Sequence, residues 1–342
     1  MLLEDLSSAP GVSSREDQVR NTIKDFVKDR VDEFKVDING NLICKKEGNK
    51  KGPSVMLAAH MDEVGLMITE IRDDGLLKFM TVGGIDKRIL VSRVVEIGDE
   101  QITGVIGAKA IHLQKKEERK KPIEIENLYI DIGVSDRNEA EKLVSPGDVA
   151  VFKSEFKLLD NNKALGKAFD DRAGCHVLAE LTKIEPAAEV FYVFTVQEEV
   201  GLRGAGQAAF EIDPDLALVV EGTTAADIPD NVEHRYSTTL GEGPALTVRD
   251  RSIITSRSLL QSLIDTARKY DIPYQFRRTT AGGNDAGVIH LTREGIPAAV
   301  VSVPCRYIHS PSALMDIEDL KQTKKLIEKF LTESIKEGKL KL

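Results

Sequence analysis

The sequence contains no tryptophan, and only 5% of its residues are aromatic. A groove that binds a polysaccharide usually offers aromatic rings on which sugars stack, so the composition argues against such a groove. Cysteine is also scarce, because Cys44, Cys175 and Cys305 are far apart and form no CxxC pair. Three separated cysteines argue against a disulfide framework and indicate a reducing compartment.

Long apolar runs are missing as well. The N-terminal stretch MLLEDLSSAPGVSSRED has no basic region followed by an apolar one, and no segment approaches the ~18 apolar residues of a membrane span. We therefore expect a cytoplasmic protein. The net charge of −9 comes from acids and bases that are interspersed and do not form blocks, so neither nucleic acid nor an anionic membrane is expected as the main partner.

The chain is long enough for a large core, with 342 residues of which 41% are hydrophobic. Residues 55–59 (VMLAA) form an uninterrupted apolar segment that is typical of a buried parallel strand. Between Glu63 and Phe156 the pattern changes to short β-type pieces separated by Gly, Asp and Pro, which predicts a small β-barrel or sandwich. We predict a discontinuous α/β domain, residues 1–62 and 157–342, interrupted by a β domain at residues 63–156.

Helices of the α/β domain are predicted after AFDDRAG and at three further places. Ser13 and Glu16 have the spacing of a capping box and precede apolar residues at helical spacing. Further helices are predicted at residues 259–270 and from residue 317 to about Lys336, the last with a continuous apolar face.

Side chains that bind metals or carry protons follow the predicted strands. They are His60 and Asp62 after VMLAA, Glu198 and Glu199 after FYVFTV, Glu221 after LALVV, His309 after AAVVSVPCRYI, and the pair Asp170 and Asp171 at the entrance to a predicted helix. Each has an ordinary explanation alone, as a helix cap or as a chain reaching solvent. Because the carboxyl ends of parallel strands meet at one edge of a sheet, together they predict a site that holds something cationic.

The composition of this set suits Zn²⁺, Co²⁺ or Mn²⁺, and the absence of cysteine from it argues against a structural zinc cage. There are more ligands than one open site needs. Two ions ~3.5–4 Å apart require a bridging carboxylate, one His and one acid each, and a nearby base that does not bind metal. Asp62, two residues after His60, is placed to accept the other ring N–H and orient the imidazole.

A series of longer motifs extends along the whole chain: AAHMDEVGLM, VGGIDKR, DIG with the later SPGD, GKAFDDRAG, VQEEVGLRGA, GEGPAL, GGNDAG and VPCRYIHSP. In this order they resemble the TET-type metallo-aminopeptidases of peptidase family 42, often labelled glutamyl aminopeptidases and sometimes endoglucanases. The resemblance implies a zinc-exopeptidase-like fold. In such a fold a central mixed, largely parallel sheet is flanked by helices, and a small β-barrel is inserted into it.

The resemblance also implies a ligand set for two divalent ions per subunit. Asp170 would bridge the ions, with His60 and Glu221 completing one site and Glu199 and His309 the other. Some family members carry Asp at the position of Glu221, and both residues supply oxygen ligands. The longer arm of Glu221 therefore affects the expected geometry more than metal binding itself.

The general base implied by the resemblance is Glu198. It would remove a proton from the water that attacks the first peptide carbonyl and return that proton to the leaving amine. Because adjacent residues on a strand point to opposite sides, Glu199 can hold metal while Glu198 reaches the water. The peptide bond between Asp170 and Asp171 is expected to be cis in this family.

The expected partners are short peptides with a free N-terminus, and further copies of the chain. The resemblance implies that the inserted barrel is a dimerisation domain. Dimers would assemble into a hollow tetrahedral dodecamer that admits only short or unfolded peptides, and free dimers are an alternative state.

Other functions remain open from the sequence. A glycoside hydrolase (endoglucanase) could use a carboxylate pair, but it leaves His60 and His309 without a role. A dipeptidase or a deacylase could use the same metal pair. A non-catalytic scaffold has no need of a non-ligating base such as Glu198. The preferred N-terminal residue and the native metal are not determined by these patterns.

Overall fold

The structure is a computed structural model that describes residues 1–49, 52–229, 232 and 236–335. Within these residues, helices flank an eleven-stranded mixed sheet. A closed barrel of six antiparallel strands is inserted in the sequence between two strands of that sheet. The predicted α/β class with an inserted β-barrel is confirmed, and of the two β architectures left open, the barrel is the correct one.

The strands, in chain order, are β1 (Glu33–Val36), β2 (Leu42–Lys46), β3 (Val55–His60), β4 (Gly65–Ile71), β5 (Leu77–Val82), β6 (Val94–Ile97), β7 (Ile102–Ala108), β8 (Leu128–Asp131), β9 (Val149–Phe152), β10 (Lys157–Leu159), β11 (Lys163–Gly166), β12 (Val190–Thr195), β13 (Leu216–Thr224), β14 (Ala245–Leu246), β15 (Gln275–Phe276), β16 (Ala298–Arg306) and β17 (Ala313–Asp316). The helices are α1 (Leu2–Ser8), α2 (Asp17–Val27), α3 (Arg137–Ala140), α4 (Phe169–Leu181), α5 (Ala205–Ile212), α6 (Arg257–Lys269), α7 (Ala286–Ile289) and α8 (Ile317–Lys329).

The large sheet has the order β1-β2-β12-β3-β13-β16-β17-β11-β10, and β14 and β15 extend it from β16. Its central strands β12, β3, β13 and β16 are parallel, while the strands towards both edges are antiparallel. Every residue of β3 is buried, as expected for a strand with helices over both faces. The four parallel strands therefore end at one common edge.

Three hydrophobic cores hold these layers together. One face of the sheet packs against α1, α2, α4, α6 and α8, and the other packs against α5 and α7. The barrel strands β4–β9 enclose a core of their own. They lie between Gly65 and Phe152, inside the segment predicted as residues 63–156, and the domain boundaries themselves remain a prediction.

The predicted capping box at the start of α2 is wrong, and α1 was not predicted. The hydroxyl of Ser13 donates to Asp62 Oδ2 at 2.6 Å instead of capping the helix. Glu16 immediately precedes α2, and its Oε1 accepts the backbone N–H groups of Ser14 and Gln197 at 2.8 and 3.2 Å. Both side chains therefore bind segments that are distant in the sequence.

The other predicted helices are close to the observed ones. The prediction at residues 259–270 corresponds to α6, and α8 begins at Ile317 as expected. After α8 the backbone widens into a π-helical turn, Phe330–Ser334, and the predicted end near Lys336 lies outside the described residues. None of the helices in the described part of the chain is long and apolar enough to cross a membrane.

A stability test follows from His176 in α4. Burial lowers the pKa of this imidazole to about 4, and its Nδ1 has no hydrogen-bond partner among the described residues. Because the unfolded pKa is ~6.5, the folded state loses stability as the pH falls from 6.5 towards 4. We expect acidification from pH 7.5 to 5 to lower the free energy of unfolding of the wild type by about 2 kcal/mol more than that of His176→Gln.

Chemical denaturation at both pH values measures this difference in the free energy of unfolding. The exposed His112 supplies the matched control, His112→Gln, which should behave as the wild type does. An equal pH dependence in the wild type and His176→Gln would contradict the prediction.

Candidate metal centre

The predicted ligands and the predicted base meet at the carboxyl edge of the parallel strands. They are His60 at the end of β3, Asp170 at the start of α4, Glu198 and Glu199 after β12, Glu221 within β13, and His309 after β16. Glu221 does not end its strand, because β13 continues to Thr224 by pairing with β16. His60 ends its strand, and Glu198, Glu199 and His309 follow theirs, as expected for an open α/β sheet.

Asp170 lies between the two imidazoles. Its Oδ1 is 3.4 Å from His60 Nε2, and its Oδ2 is 3.5 Å from His309 Nε2. The two oxygens of one carboxylate therefore face two different histidines. This arrangement suits a carboxylate shared by two cations.

Each histidine also faces a second carboxylate. His309 Nε2 is 3.2 Å from Glu199 Oε1, and His60 Nε2 is 4.0 Å from Glu221 Oε1. Glu198 Oε2 is likewise 4.0 Å from His60 Nε2. Glu198 is therefore near His60, and Glu199 is near His309. The expectation that they point to opposite sides of a strand is wrong, because both residues lie in the segment after β12 ends.

The donor set fits divalent cations. Three groups of His and carboxylate side chains have donor atoms within 4.8 Å of one another: His60 with Glu198 and Glu199, His60 with Asp171 and Glu221, and Asp170 with Glu199 and His309. In addition, Glu221 Oε2 is buried without a hydrogen-bond partner among the described residues. A buried carboxylate oxygen that lacks a donor is costly unless a cation approaches it.

Asp171 belongs to one of these groups, but its oxygens already have partners. Oδ1 accepts the backbone N–H of Gly174 at 3.0 Å, and Oδ2 accepts the backbone N–H of His60 at 3.2 Å. Asp171 therefore binds the backbone within the first turns of α4 and fastens the end of β3. The peptide bond that joins it to Asp170 is cis, as expected from the resemblance.

The protonation equilibria reflect an excess of negative charge. Burial alone would lower the pKa values of both histidines. Hydrogen bonds outweigh this effect: His60 bonds to Asp170 and Asp62, and His309 bonds to Asp170 and Glu199. The pKa of His60 is raised well above its usual range, and that of His309 is raised to about 11. Burial would raise the pKa of Asp170, yet the two imidazoles hold it below the usual range.

The pKa values of Glu198 and Glu221 reflect the same excess of negative charge. Burial raises the pKa of Glu198 and of Glu221 well above the usual range, and the neighbouring carboxylates add to the rise. A bound cation would oppose both effects, because a positive charge favours the ionised carboxylate and the neutral imidazole.

Asp62 fixes the geometry of both sides of the site. Its backbone carbonyl lies 3.0 Å from His60 Nδ1, closer than its own carboxylate at 3.3 Å, which was the predicted acceptor. The carboxylate also accepts the backbone N–H groups of Glu198 and Glu199 at 3.0 and 3.1 Å. Asp62 thus holds the segment that carries both glutamates, and His60 Nδ1 has an acceptor that leaves Nε2 facing Asp170.

The inserted barrel also reaches the site. The chain leaving β5 brings the carbonyl of Gly84 within 2.9 Å of His309 Nδ1, which leaves Nε2 of that ring facing Asp170 and Glu199. Sequence patterns gave no signal for this contact, because the two residues are 225 positions apart.

Asp285 was also missed, although the motif GGNDAG that contains it had been singled out. Its side chain is buried, Oδ2 accepts the hydroxyl of Thr195 at 2.5 Å, and Oδ1 has no partner among the described residues. Burial raises the pKa of Asp285 to about 6, and its charge in turn raises the pKa of Glu198. The structure therefore adds a buried acid whose charge acts on the candidate base.

The candidate metal centre opens into a cavity of about 570 Å³. One side of this cavity is formed by Asp170, Glu198, Glu199, Glu221 and His309. The rest of the lining includes hydroxyl-bearing residues, residues 281–283 and Arg277. The cavity is large enough for an amino-acid side chain next to the carboxylate cluster.

Comparison with known proteins agrees with the sequence motifs. The family model described as M42 glutamyl aminopeptidase matches residues 40–326. A lysyl aminopeptidase from Pyrococcus furiosus is 34% identical over 340 residues, covering 97% of this chain and 96% of that protein.

Solved structures resemble the chain over nearly its whole length. An aminopeptidase from Desulfurococcus kamchatkensis has a TM-score of 0.95 at 36% identity, covering 100% of this chain and 97% of that one. The TET1 peptidase of Pyrococcus horikoshii, described as assembling into a tetrahedron or a large octahedral shell, has a TM-score of 0.87 at 35% identity, covering 97% and 98%. A Thermotoga maritima protein described as an endoglucanase has a TM-score of 0.82 at 40% identity, covering 99% and 97%.

A test of the site geometry uses Gly222, which packs against Asp170. A Cβ atom at Gly222 would lie 2.7 Å from the Cα of Asp170, closer than packing allows. We expect Gly222→Ala to displace Asp170 and to weaken divalent-metal affinity roughly ten- to a hundredfold, the range seen when groups around metal ligands are changed. Competition with a chromophoric chelator measures the affinity.

Gly206 in α5 supplies the matched control. A Cβ atom there meets its nearest neighbour, Val288, at an ordinary 3.5 Å, so Gly206→Ala should bind metal as the wild type does. Equal affinities of the two variants would show that the contact between Gly222 and Asp170 does not position the site.

Proposed function

The chain belongs to the M42 glutamyl aminopeptidase family and is an aminopeptidase, and on that basis we propose that two divalent metal ions and a glutamate base carry out its reaction. The observation that supports two ions best is the position of Asp170, whose two carboxylate oxygens face His60 and His309 separately. The ions are Zn²⁺, Co²⁺ or Mn²⁺, because His and carboxylate ligands suit all three.

The proposed ligands divide into two sets that share Asp170. His60 and Glu221 complete one set, and Glu199 and His309 complete the other. The 3.2 Å distance between Glu199 Oε1 and His309 Nε2 supports the second set, and the buried, unpartnered Oε2 of Glu221 supports the first. When bound, such a pair of ions lowers the pKa of water and polarises a carbonyl. Asp62 and the carbonyl of Gly84 orient the two imidazoles from behind.

Glu198 is the proposed general base. Its backbone N–H donates to Asp62 Oδ1 at 3.0 Å, and its side chain lines the cavity beside Asp170 and Glu199. In the proposed reaction Glu198 takes a proton from the attacking water and gives it to the amine that leaves when the first peptide bond breaks. Burial raises its pKa, which suits a group that must both accept and donate a proton.

The proposed substrates are short peptides with a free N-terminus, and the proposed assembly is a dimer that builds a dodecamer. The shells described for the Pyrococcus horikoshii relative support assembly. The inserted barrel is the proposed dimerisation domain, and its half-exposed apolar side chains Val91, Val94 and Val105 support an interface there. An assembly of this kind would exclude folded proteins from the active site.

An endoglucanase activity is the second candidate, because a structure with that description is 40% identical to this chain. A glycosidase needs only a carboxylate pair and leaves the two imidazoles unexplained. Chelation separates the candidates, since EDTA should abolish the peptidase and leave hydrolysis of a soluble β-glucan unchanged.

The principal test is hydrolysis of aminoacyl-p-nitroanilides and their N-acetyl counterparts, measured after EDTA treatment and again after addition of Zn²⁺, Co²⁺ or Mn²⁺. We expect chelation to remove activity, and added metal to restore cleavage of the free substrates only, because an aminopeptidase requires the free amine. Restored cleavage of the blocked substrates would instead indicate a deacylase. Absence of cleavage with metal bound would contradict the proposal.

The roles of the adjacent glutamates are separable by mutation. We expect Glu198→Gln to keep metal binding and to lose roughly 10²–10⁴-fold in kcat, the usual contribution of a general base. We expect Glu199→Gln to lower metal occupancy, because it removes an oxygen ligand. Metal analysis by mass spectrometry together with kinetics at saturating metal distinguishes them, and near-native turnover of both variants at full loading would refute the assignment.

A further inference from the structure

One polar side chain interrupts the apolar strand β16. Ser302 lies within the run AAVVSVPCR, and it is only 1% exposed. Its hydroxyl makes no hydrogen bond among the described residues. A buried hydroxyl without a partner is unfavourable, so an acceptor that Ser302 can reach would stabilise this part of the sheet.

The strand neighbours of Ser302 include one acceptor side chain. Ser302 pairs in register with Glu221 of β13 on one side and with Ala245 of β14 on the other. The side chains of paired residues point to the same face of a sheet, and along β16 that face continues through Val300 and Pro304. Of these four neighbours, Glu221 alone has a hydrogen-bonding group in its side chain.

The packing of the sheet agrees with this pairing. Val219 of β13 and Val300 of β16 both belong to the core that lies against α5 and α7. Successive side chains of a strand alternate between the two faces, so Glu221 and Ser302, each two residues further along, lie on that face as well. The hydroxyl therefore stands beside the carboxylate and not on the opposite side of the sheet.

The carboxylate of Glu221 has the complementary free atom. Its Oε1 lies 4.0 Å from His60 Nε2, while its Oε2 is buried and accepts no hydrogen bond within the part of the chain that the structure describes. Carboxylates that bind a metal are usually hydrogen-bonded by a residue that does not itself touch the metal. Ser302 is placed to be this donor, because paired residues of neighbouring strands lie about 4.8 Å apart.

We propose, on the basis of the two-ion function above, that Ser302 is a positioning residue of the candidate metal centre. Its hydroxyl donates a hydrogen bond to Glu221 Oε2 and so holds the carboxylate with Oε1 towards His60. The two atoms are not hydrogen-bonded in the structure, so the hydroxyl reaches Oε2 by rotation about the Cα–Cβ bond of Ser302 or through one buried water. A glutamate needs this restraint more than an aspartate does, because its side chain has one more rotatable bond.

The test uses substitutions of matched shape that differ in the hydroxyl. Valine and threonine have nearly the same shape, so Ser302→Val and Ser302→Thr fill the position alike, but only threonine can donate a hydrogen bond. We expect Ser302→Val and Ser302→Ala to weaken the binding of one of the two ions roughly ten- to a hundredfold, and Ser302→Thr to bind both ions nearly as the wild type does. Titration of the metal-free protein with Zn²⁺ in competition with a chromophoric chelator resolves the two affinities.

The identity of the weakened site is a second readout. In crystals soaked at limiting Zn²⁺, we expect the anomalous peak near His60 to fall relative to the peak near His309 in Ser302→Val, and Ser302→Thr to keep the wild-type ratio. Equal losses at both peaks would show that Ser302 acts through the packing of the whole site. Equal behaviour of the valine and threonine variants would show that the hydroxyl has no role. Either result overturns the inference.

Thr247 supplies the matched control. It follows β14 and is 1% exposed, and its hydroxyl also lacks a partner among the described residues. Its backbone N–H donates to the carbonyl of Val300 at 3.2 Å, so it lies one pair further from Glu221 than Ser302 does. Thr247→Val removes a buried hydroxyl of the same kind and should leave both metal affinities unchanged. If it weakens metal binding as Ser302→Val does, the effect is a general loss of stability and the inference fails.

The same titration distinguishes failure of this inference from failure of the proposed function. A wild type that binds two ions, together with a Ser302→Val variant of unchanged affinities, overturns the role of Ser302 and leaves the two-ion function standing. A wild type that binds only one ion contradicts the two-ion function, and the inference falls with it.

Discussion

The concentration of negative charge around Asp170 is the constraint on which the rest of the site depends. Four carboxylates, from Asp170, Glu198, Glu199 and Glu221, converge at the buried end of a parallel sheet. Such a cluster is stable only with compensating positive charge, and two imidazoles supply part of it. The separate contacts of the two Asp170 oxygens with His60 and His309 are the observation that supports our proposal of two cation sites sharing one ligand.

Hydrogen bonds from buried side chains hold the segments of the site in place against this repulsion. Asp62 holds the backbone of both glutamates, and Asp171 holds the backbone at His60. The fully buried Arg172 connects α4 to the carbonyl of Met61 at 2.8 Å and to the end of α1 through the carbonyl of Ala9 at 2.9 Å. The site is therefore set by contacts between distant segments and not by any single loop.

The sequence predicted the site where metal-binding residue types directly follow a recognisable strand. The buried run VMLAA and the acids and histidines after the other strands predicted the edge of the sheet on which the proposed ligands lie, because parallel strands impose that edge. Contacts across the chain had no such local signal. The spacing of Ser13 and Glu16 suggested a helix cap, yet both bind other segments of the site. Arg277 looked like one more charged residue until the fold placed it in the cavity.

The most direct measurement is anomalous X-ray diffraction from crystals of the enzyme soaked in Zn²⁺ or Mn²⁺. We expect two peaks about 3.5–4 Å apart, one near His60 and one near His309, each within coordination distance of a different oxygen of Asp170. A single peak, or two peaks that do not share Asp170, would contradict the claim that this carboxylate joins two cations in one catalytic centre.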